Sequence, residues 1–420
     1  VVHGSNGILV KDNVAYNNLG HCYFLEDGGE IENVFDHNLG VKLTPISKEG
    51  GRQIIPTDNE PSVFWITNPN NTFINNAACG GKFGYWFIMP VKPIGMSQAK
   101  YANDAYVYPR KSPLGKFDSN IAHSSFDSGL FIDDMLNTDG TTRLAGYNPR
   151  VAPYSDSNGD IPDYALTSLD ARFTNFIAYK NRRHGVWARG GPLVFSNMLL
   201  MDNLIGYNGP PGPTYIENSV VIGETDNVGL IGKLAGEQNR TRPYQWDVKL
   251  AITGVETYDN GGPQVVRNVT FINFVSDEVR NAGALSCLKS GPFAHHPRNK
   301  YTDLKFENSN VVYIEDAKAD GPFNLNINDI DGSAVGVLND VSGGWIVSNN
   351  SMLIFDGCKP VYEWNAYKCP YFPENFAQLV VTNQNVAGSS NIGENGVDYT
   401  ADLTKDGVVK ATFHMLGKED

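Results

Sequence analysis

An apolar residue followed three positions later by asparagine, and then by a small or apolar pair, recurs along this chain and narrows what it can fold into. The copies read Val10/Asn13 (VKDNVA), Phe35/Asn38 (FDHNLG), Phe73/Asn76 (FINNAA), Phe117/Asn120 (FDSNIA), Tyr215/Asn218 (YIENSV) and Val265/Asn268 (VVRNVT). Two more, at Phe173 (FTNFIA) and Phe195 (FSNMLL), carry the Asn one place earlier. Where copies lie close, from Val10 to Phe35 and from Phe173 through Phe195 to Tyr215, they are 20 to 25 residues apart. That interval suits one coil of a parallel β-helix, whose coils stack at about 4.8 Å and set like residues in columns. An asparagine in such a column can adopt the left-handed conformation of a turn and bond through its amide to the asparagines above and below. The alternative is that Asn only marks unrelated turns, but the constant apolar flanks favour a ladder. The expected fold is therefore all-β, a right-handed parallel β-helix over residues 1–382. The wide gaps from Phe73 to Phe117 and from Phe117 to Phe173 are long inserted loops, which in solenoids gather on one face and often carry function. Beyond 382 the polar stretch NQNVAGSSNIGENG and the alternating VVKATFHMLG read as a linker and the start of a further β module, 383–420.

Composition agrees. A chain with 43 Gly and 23 Pro suits a turn-rich β protein. Its net charge of −13 argues against a nucleic-acid partner, which needs a concentrated basic surface. No apolar run is long enough to span a bilayer, so this segment is not expected to contact a membrane itself. Of the 5 cysteines none has zinc-ligand spacing. Cys358 and Cys369 bracket a short loop that a disulfide would stabilise by roughly 3 kcal/mol in an oxidising compartment. Sequons at Asn70, Asn239, Asn268 and Asn349 permit secretion and glycosylation.

Longer stretches are more specific. HGSNGILVKDNVAYNNLGHCYFLEDG (from His3), FDHNLG, FWITNPNNTFINNAACG (from Phe64), PLGKFDSNIAHS (from Pro113), FIAYKNRRHGVWARGG (from Phe176) and DIDGS (from Asp329) occur in order over roughly residues 1–370. Together they resemble the family of the cell migration-inducing hyaluronan-binding protein and the cell-surface hyaluronidases, and more distantly fibrocystin. The resemblance implies a parallel β-helix of an extracellular or cell-surface protein associated with binding and depolymerising hyaluronan, an acidic polysaccharide. Ser5 and Asn38 stand where family members carry cysteine, and the eight-glycine domain that normally precedes the helix is absent. The chain opens within a coil, as a segment of a longer protein with further domains. The resemblance transfers no catalytic residue.

The apolar runs that follow a glycine align as His21, Tyr85, Leu130, Val186; then Cys22, Trp86, Phe131, Trp187; then Tyr23, Phe87, Ile132, Ala188; then Phe24, Ile88, Asp133, Arg189. Alternation sets the second and fourth columns on one face, and Asp133 and Arg189 mark it as outer. Trp86, Phe131 and Trp187 then form either an exposed stripe on which a sugar chain stacks or a second core beneath the inserted loops. The same alignment points His21 inward, as a satisfied interior histidine. Lys180, Arg182, Arg183, His184 and Arg189 cluster in an otherwise acidic chain and suit uronate carboxylates, or form a solvated turn. Cleavage by hydrolysis needs two carboxyls, and a lyase needs a base with a neutraliser of the uronate, often a cation. Candidates are Glu26, Asp27, Asp36, His37 and Asp133, although Asp at turns usually serves the backbone. YSDSNGDIPD offers Asp156, Asn158 and Asp160 at alternate positions, as calcium loops do, but Ile161 stands where a full loop needs Gly. Ca²⁺ is thus the one cofactor suggested, with none certain. The competing function is a non-catalytic structural or adhesion module.

Overall fold

The computed structural model describes residues 1–47, 53–210, 212–228, 250–257, 262–277, 280–287, 299–315, 326–349 and 353–370, and the backbone of strands 379–382, 399–405 and 408–415. Short strands dominate and turn three corners per coil, giving a parallel β-helix with three sheet faces. The first coil uses Leu9–Lys11, Val14–Leu19 and Tyr23–Phe24 on its first, second and third face. The fifth uses Ala171–Thr174, Ile177–Tyr179 and His184–Ala188. In the seventh and eighth, Thr214–Ile222 and Gln264–Ile272 each span the first two faces as one bent strand. Pairing along all three faces is parallel and in register, with Phe35 opposite Phe73, Ala122 opposite Ala178 and Leu130 opposite Val186.

Columns follow from that register. Phe35 stacks on Phe73 at 5.0 Å between ring centroids, and Phe173 on Phe195 at 5.1 Å. On the third face Tyr23, Phe64 and Tyr85 stack at 4.8 and 4.6 Å. Each such pair adds about 0.5–1.5 kcal/mol beyond its buried area. The bulk is accommodated because the second face turns small residues inward: Gly40, Ala78, Ala122 and Ala178 are all buried. A Cβ on Gly40 would lie 2.2 Å from Val63 Cγ1, so any side chain there would force Val63 to move.

The asparagine ladder is present. Asn13 Nδ2 donates to Asn38 Oδ1 at 2.9 Å, Asn38 Nδ2 to Asn76 Oδ1 at 2.9 Å, and Asn76 Nδ2 to Asn120 Oδ1 at 3.1 Å. Two details differ from the sequence reading. The left-handed residue is the one before the ladder Asn: Asp12, His37, Asn75 and Ser119 have φ of 57, 56, 57 and 56°. One residue therefore bends the chain and the next fills the corner. Phe176 and Met198 continue the corner column above Asn120, and the early Asn of those copies, Asn175 and Asn197, are left-handed residues with φ of 53 and 58°. Asn218 and Asn268 are likewise left-handed, because Ile216 and Val266, not Tyr215 and Val265, continue the buried column of Phe195. These two asparagines bond to each other at 2.8 Å on the surface, outside the ladder.

The parallel order ends at Asn326–Asp329, which still pairs parallel with Lys300–Glu307. Asn326–Asp329 pairs antiparallel with Gly344–Ser348, which pairs antiparallel with Ala366–Pro370. Cys358 and Cys369 are joined in a disulfide there. The alternating tail forms Val408–Met415, antiparallel to Tyr399–Lys405. The expected linker lies outside the described residues, as does Asn239; Asn268 and Asn349 are exposed and Asn70 is half-buried. No described helix is long and apolar enough to cross a membrane.

Candidate functional site

The inserted loops converge on the outer side of the third face. Ile55, Ile94 and Leu136 from three of them pack on Trp65, Phe83 and Trp86 as a second hydrophobic layer. At the first and second coils this cover opens into a cleft of about 460 Å³. Phe24 lies at its floor, stacked on Trp65 at 5.6 Å and 11°. His21 sits beside them, 4.2 Å from the Trp65 ring, with its ring nitrogens at Ser62 Oγ (3.1 Å) and Thr57 Oγ1 (3.2 Å). Burial lowers its pKa to about 3, so it stays neutral.

Four carboxyls line the cleft: Glu26, Asp27, Asp58 and Asp139. Glu26 pairs with His3, and the two side chains are 39% and 41% exposed. Asp27 is buried and accepts the N–H groups of Gly29 (3.3 Å) and Ser97 (2.9 Å). Asp58 accepts those of Ile54 (2.8 Å) and Ile55 (3.1 Å), and Asp139 that of Thr141 (3.0 Å). Behind Asp27, fully buried Glu30 accepts N–H groups from Gly4, Asp27 and Gly28 at 3.0, 3.3 and 3.2 Å. Burial, with the neighbouring Asp27 charge, holds the Glu30 carboxyl above the usual range. His3, Asp27 and Glu30 each bring a ligand atom within 4.8 Å of the other two, the one such group among the described residues that can hold a metal ion.

Residues 1–130, which contain the cleft floor and all four of its carboxyls except Asp139, match the family model described as CEMIP beta-helix. Those residues are a CEMIP β-helix. The cell migration-inducing and hyaluronan-binding protein of Homo sapiens is 33% identical over 88% of this chain and 30% of its own length. The cell surface hyaluronidase CEMIP2 of Homo sapiens is 30% identical over 88% of this chain and 29% of its own. Fibrocystin-L of Homo sapiens is more distant, 25% identical over 87% of this chain and 8% of its own. The chain thus spans less than a third of each of these relatives.

Of the five catalytic candidates only Glu26 and Asp27 reach the cleft. Asp36 and His37 lie at the corner between the first and second faces. There Asp36 takes Lys11 (2.8 Å) and Asn75 (3.1 Å), and His37 takes Asp12 (2.7 Å). Nearness in sequence misleads here because the chain turns corners between residues 27 and 36. Asp133 is buried and accepts Arg189 Nε at 2.8 and 2.9 Å and Trp187 Nε1 at 2.7 Å, a fixed structural pairing. The following Asp134 has φ of 67° and a pKa pushed up to about 7 by burial and by the Asp133 charge.

The exposed aromatic stripe is not there. Trp86 is 1% and Trp187 8% exposed, and Phe131 is half-buried. The loops cover these rings, as the second-core reading required. Their register with one another is as aligned, but Tyr23 and Phe24, not His21 and Cys22, share their columns, and Phe64 and Trp65 form a coil the alignment missed. That coil's run follows Ser62 rather than a glycine, after the long insertion. His21 is satisfied, as expected, but against the outer layer rather than inside the coil.

The basic cluster is divided. Arg189 is held by Asp133, Arg183 lies 3.8 Å from Asp127, and His184 is buried on Ser128 Oγ at 3.0 Å with its pKa lowered to about 4 by burial. Lys180, left-handed at φ 54°, and Arg182, 5.1 Å over the exposed ring of Phe126, stand at the corner itself. The calcium-loop residues form a tight hairpin instead. Asp156 caps Asn158 N–H at 2.7 Å, and Asp160 turns to Tyr108 and to Lys92 (3.5 Å). Sequence reasoning set His3 aside and missed Glu30, Trp65 and the buried Glu256, whose pKa burial pushes up to about 7. The Glu26-Asp27-Gly-Gly-Glu30 spacing was the available signal for Glu30.

Proposed function

We propose that this β-helix is an extracellular or cell-surface module that binds an acidic polysaccharide of the hyaluronan type. The observation carrying this is the cleft, whose volume of about 460 Å³ and floor of Phe24 on Trp65 suit a sugar ring. The cleft wall is acidic, so it takes a neutral N-acetylhexosamine unit. The uronate carboxylates of the same polymer run along the corner to Lys180 and Arg182, three to four coils and roughly 15–20 Å away. The relatives named for hyaluronan support the choice of polymer. For cleavage, Glu26 takes the acid–base role, being the half-exposed carboxyl at the mouth, with His3 beside it.

One observation favours binding without cleavage. Every other carboxyl lining the cleft is anchored to backbone N–H groups, whereas hydrolysis needs a second free carboxyl. The test is to incubate the chain with size-defined hyaluronan, chondroitin and pectate, following both retention and polymer length. Hyaluronan is expected to be retained, and Phe24→Ala and the Lys180→Ala/Arg182→Ala pair to weaken retention at least tenfold. Shortening that disappears in Glu26→Gln assigns catalysis; retention without shortening leaves a binding module. No retention and no shortening of any polymer sinks the reading and favours an adhesion scaffold.

A further inference from the structure

Two carboxylates at the cleft wall carry buried charge with no counter-charge against them. Asp27 is 3% and Glu30 0% exposed, and among the described residues neither forms an ion pair with a Lys or Arg. Lys100, whose charge reaches Glu30, is exposed and lies 4.8 Å over the ring of Tyr101. The partners of the two carboxylates are backbone N–H groups, those of Gly29 and Ser97 on Asp27 and those of Gly4, Asp27 and Gly28 on Glu30. A carboxylate offers about four lone-pair sites, so each keeps at least one for a further partner. Buried charges are ordinarily paired or bound to a metal. A ring nitrogen of His3 completes the group, with the three ligand atoms within 4.8 Å of one another. Outside the group, Glu26 takes Nδ1 of the same ring, and a carboxylate on one nitrogen is the usual way a metal-ligating histidine is oriented.

We propose that His3, Asp27 and Glu30 bind a divalent ion of the zinc class at the edge of the cleft. The ligand set selects the ion. Calcium and magnesium want a full shell of oxygens, whereas one imidazole with two carboxylates suits zinc and its first-row neighbours. Glu26 on Nδ1 assigns Nε2 of His3 to the ion. Zinc bonds of about 2.0–2.2 Å set ligand atoms roughly 3.4 Å apart in a tetrahedron. The carboxylates are anchored by their N–H groups, so the His3 ring, 41% exposed, is the ligand that closes on the ion. Three protein ligands leave a fourth position open, which is the arrangement of a catalytic rather than a structural zinc site. Asp27 and Glu26 both line the cleft, so that position lies at its wall. An ion there makes a bound water acidic near neutral pH, a part that the anchored carboxyls do not supply. The competing account is a proton shared between Asp27 and Glu30, because like charges this close do not both ionise unaided.

Isothermal titration of the full chain with zinc chloride, after EDTA treatment and dialysis and with no polysaccharide present, tests this. One zinc per chain is expected, with a Kd of about 10 µM or tighter, and weaker binding of calcium. His3→Ala, at an exposed side chain, and the isosteric Glu30→Gln are each expected to weaken zinc at least tenfold with unchanged far-ultraviolet circular dichroism. His37→Ala, which removes a surface histidine paired with Asp12, is expected to leave zinc binding unaltered. Should Glu30→Gln fail to fold, His3→Ala decides alone. A wild-type chain that takes up no zinc to about 100 µM overturns the proposal and selects the shared proton. Zinc held as tightly by the folded His3→Ala variant, or a site that calcium fills more tightly than zinc, also overturns it. Because no polymer enters the titration, its outcome is separate from that of the polysaccharide test.

Discussion

Asn75 and Asn76 are neighbours with different jobs, and glycine substitution at each separates them. The Asn76 side chain makes four hydrogen bonds in a fully buried corner: its Oδ1 accepts Asn38 N–H and Nδ2–H, both at 2.9 Å, and its Nδ2 donates to Phe35 O at 2.9 Å and Asn120 Oδ1 at 3.1 Å. At about 1 kcal/mol net for each bond, truncation removes about 4 kcal/mol. The donors of Asn38 that are then left dry raise the cost further, since a buried unsatisfied group costs about 1–3 kcal/mol. Asn75 is exposed at φ 57°, a conformation glycine adopts freely, and its side chain donates to Asp36 Oδ1 at 3.1 Å. Asn75→Gly is therefore expected within about 1 kcal/mol of wild type, and Asn76→Gly about 4 kcal/mol or more below it. Urea unfolding followed by far-ultraviolet circular dichroism reads both as midpoint shifts, with unchanged slope as the check on two-state behaviour. Equal costs at the two positions, or a larger one at Asn75, would refute the division of labour between bend and ladder.

Asp133→Asn strips the half-buried Arg189 of its buried counter-charge and is expected to cost about 3 kcal/mol in the same assay, even though the side chain keeps its shape. Trp86→Ala is expected to cost about 3–5 kcal/mol of stability while polysaccharide retention on the folded variant stays unchanged, because the ring is covered. His184 is buried neutral, with a folded pKa of about 4 against an ordinary 6.5. Its contribution is complete above pH 6.5 and is lost as pH falls towards 4, at up to about 1.4 kcal/mol per pH unit, so His184→Gln should flatten that part of the stability profile. Glu256 has the opposite sign: raised to about 7, it loses stability as pH rises from 4.5 through 7, and Glu256→Gln should gain on wild type at pH 8. Reducing Cys358–Cys369, a separation of 11 residues, is expected to cost roughly 3 kcal/mol, read as a lower melting temperature in dithiothreitol.

By itself the sequence determined the coil. A period of 20 to 25 residues with an apolar residue and an Asn at fixed offset leaves few other folds, because only vertical stacking gives each Asn the same partner above and below. It also carried the family, through long ordered motifs, and the Cys358–Cys369 pairing, which depends on a short local loop. Tertiary structure decided everything that depends on what covers what. Trp86 and Phe24 both point outward from the third face, yet two loops bringing Ile94 and Leu136 seal the first and leave the second at a cleft floor. Glu26 and Asp36 are ten residues apart in sequence, but corners of the coil send one to that cleft and the other to Lys11. His3 and Glu30 meet because one full coil separates them, a closure that no local pattern encodes. Short-range periodicity fixes how residues repeat along the axis, whereas long insertions place their side chains through contacts between residues far apart in the chain.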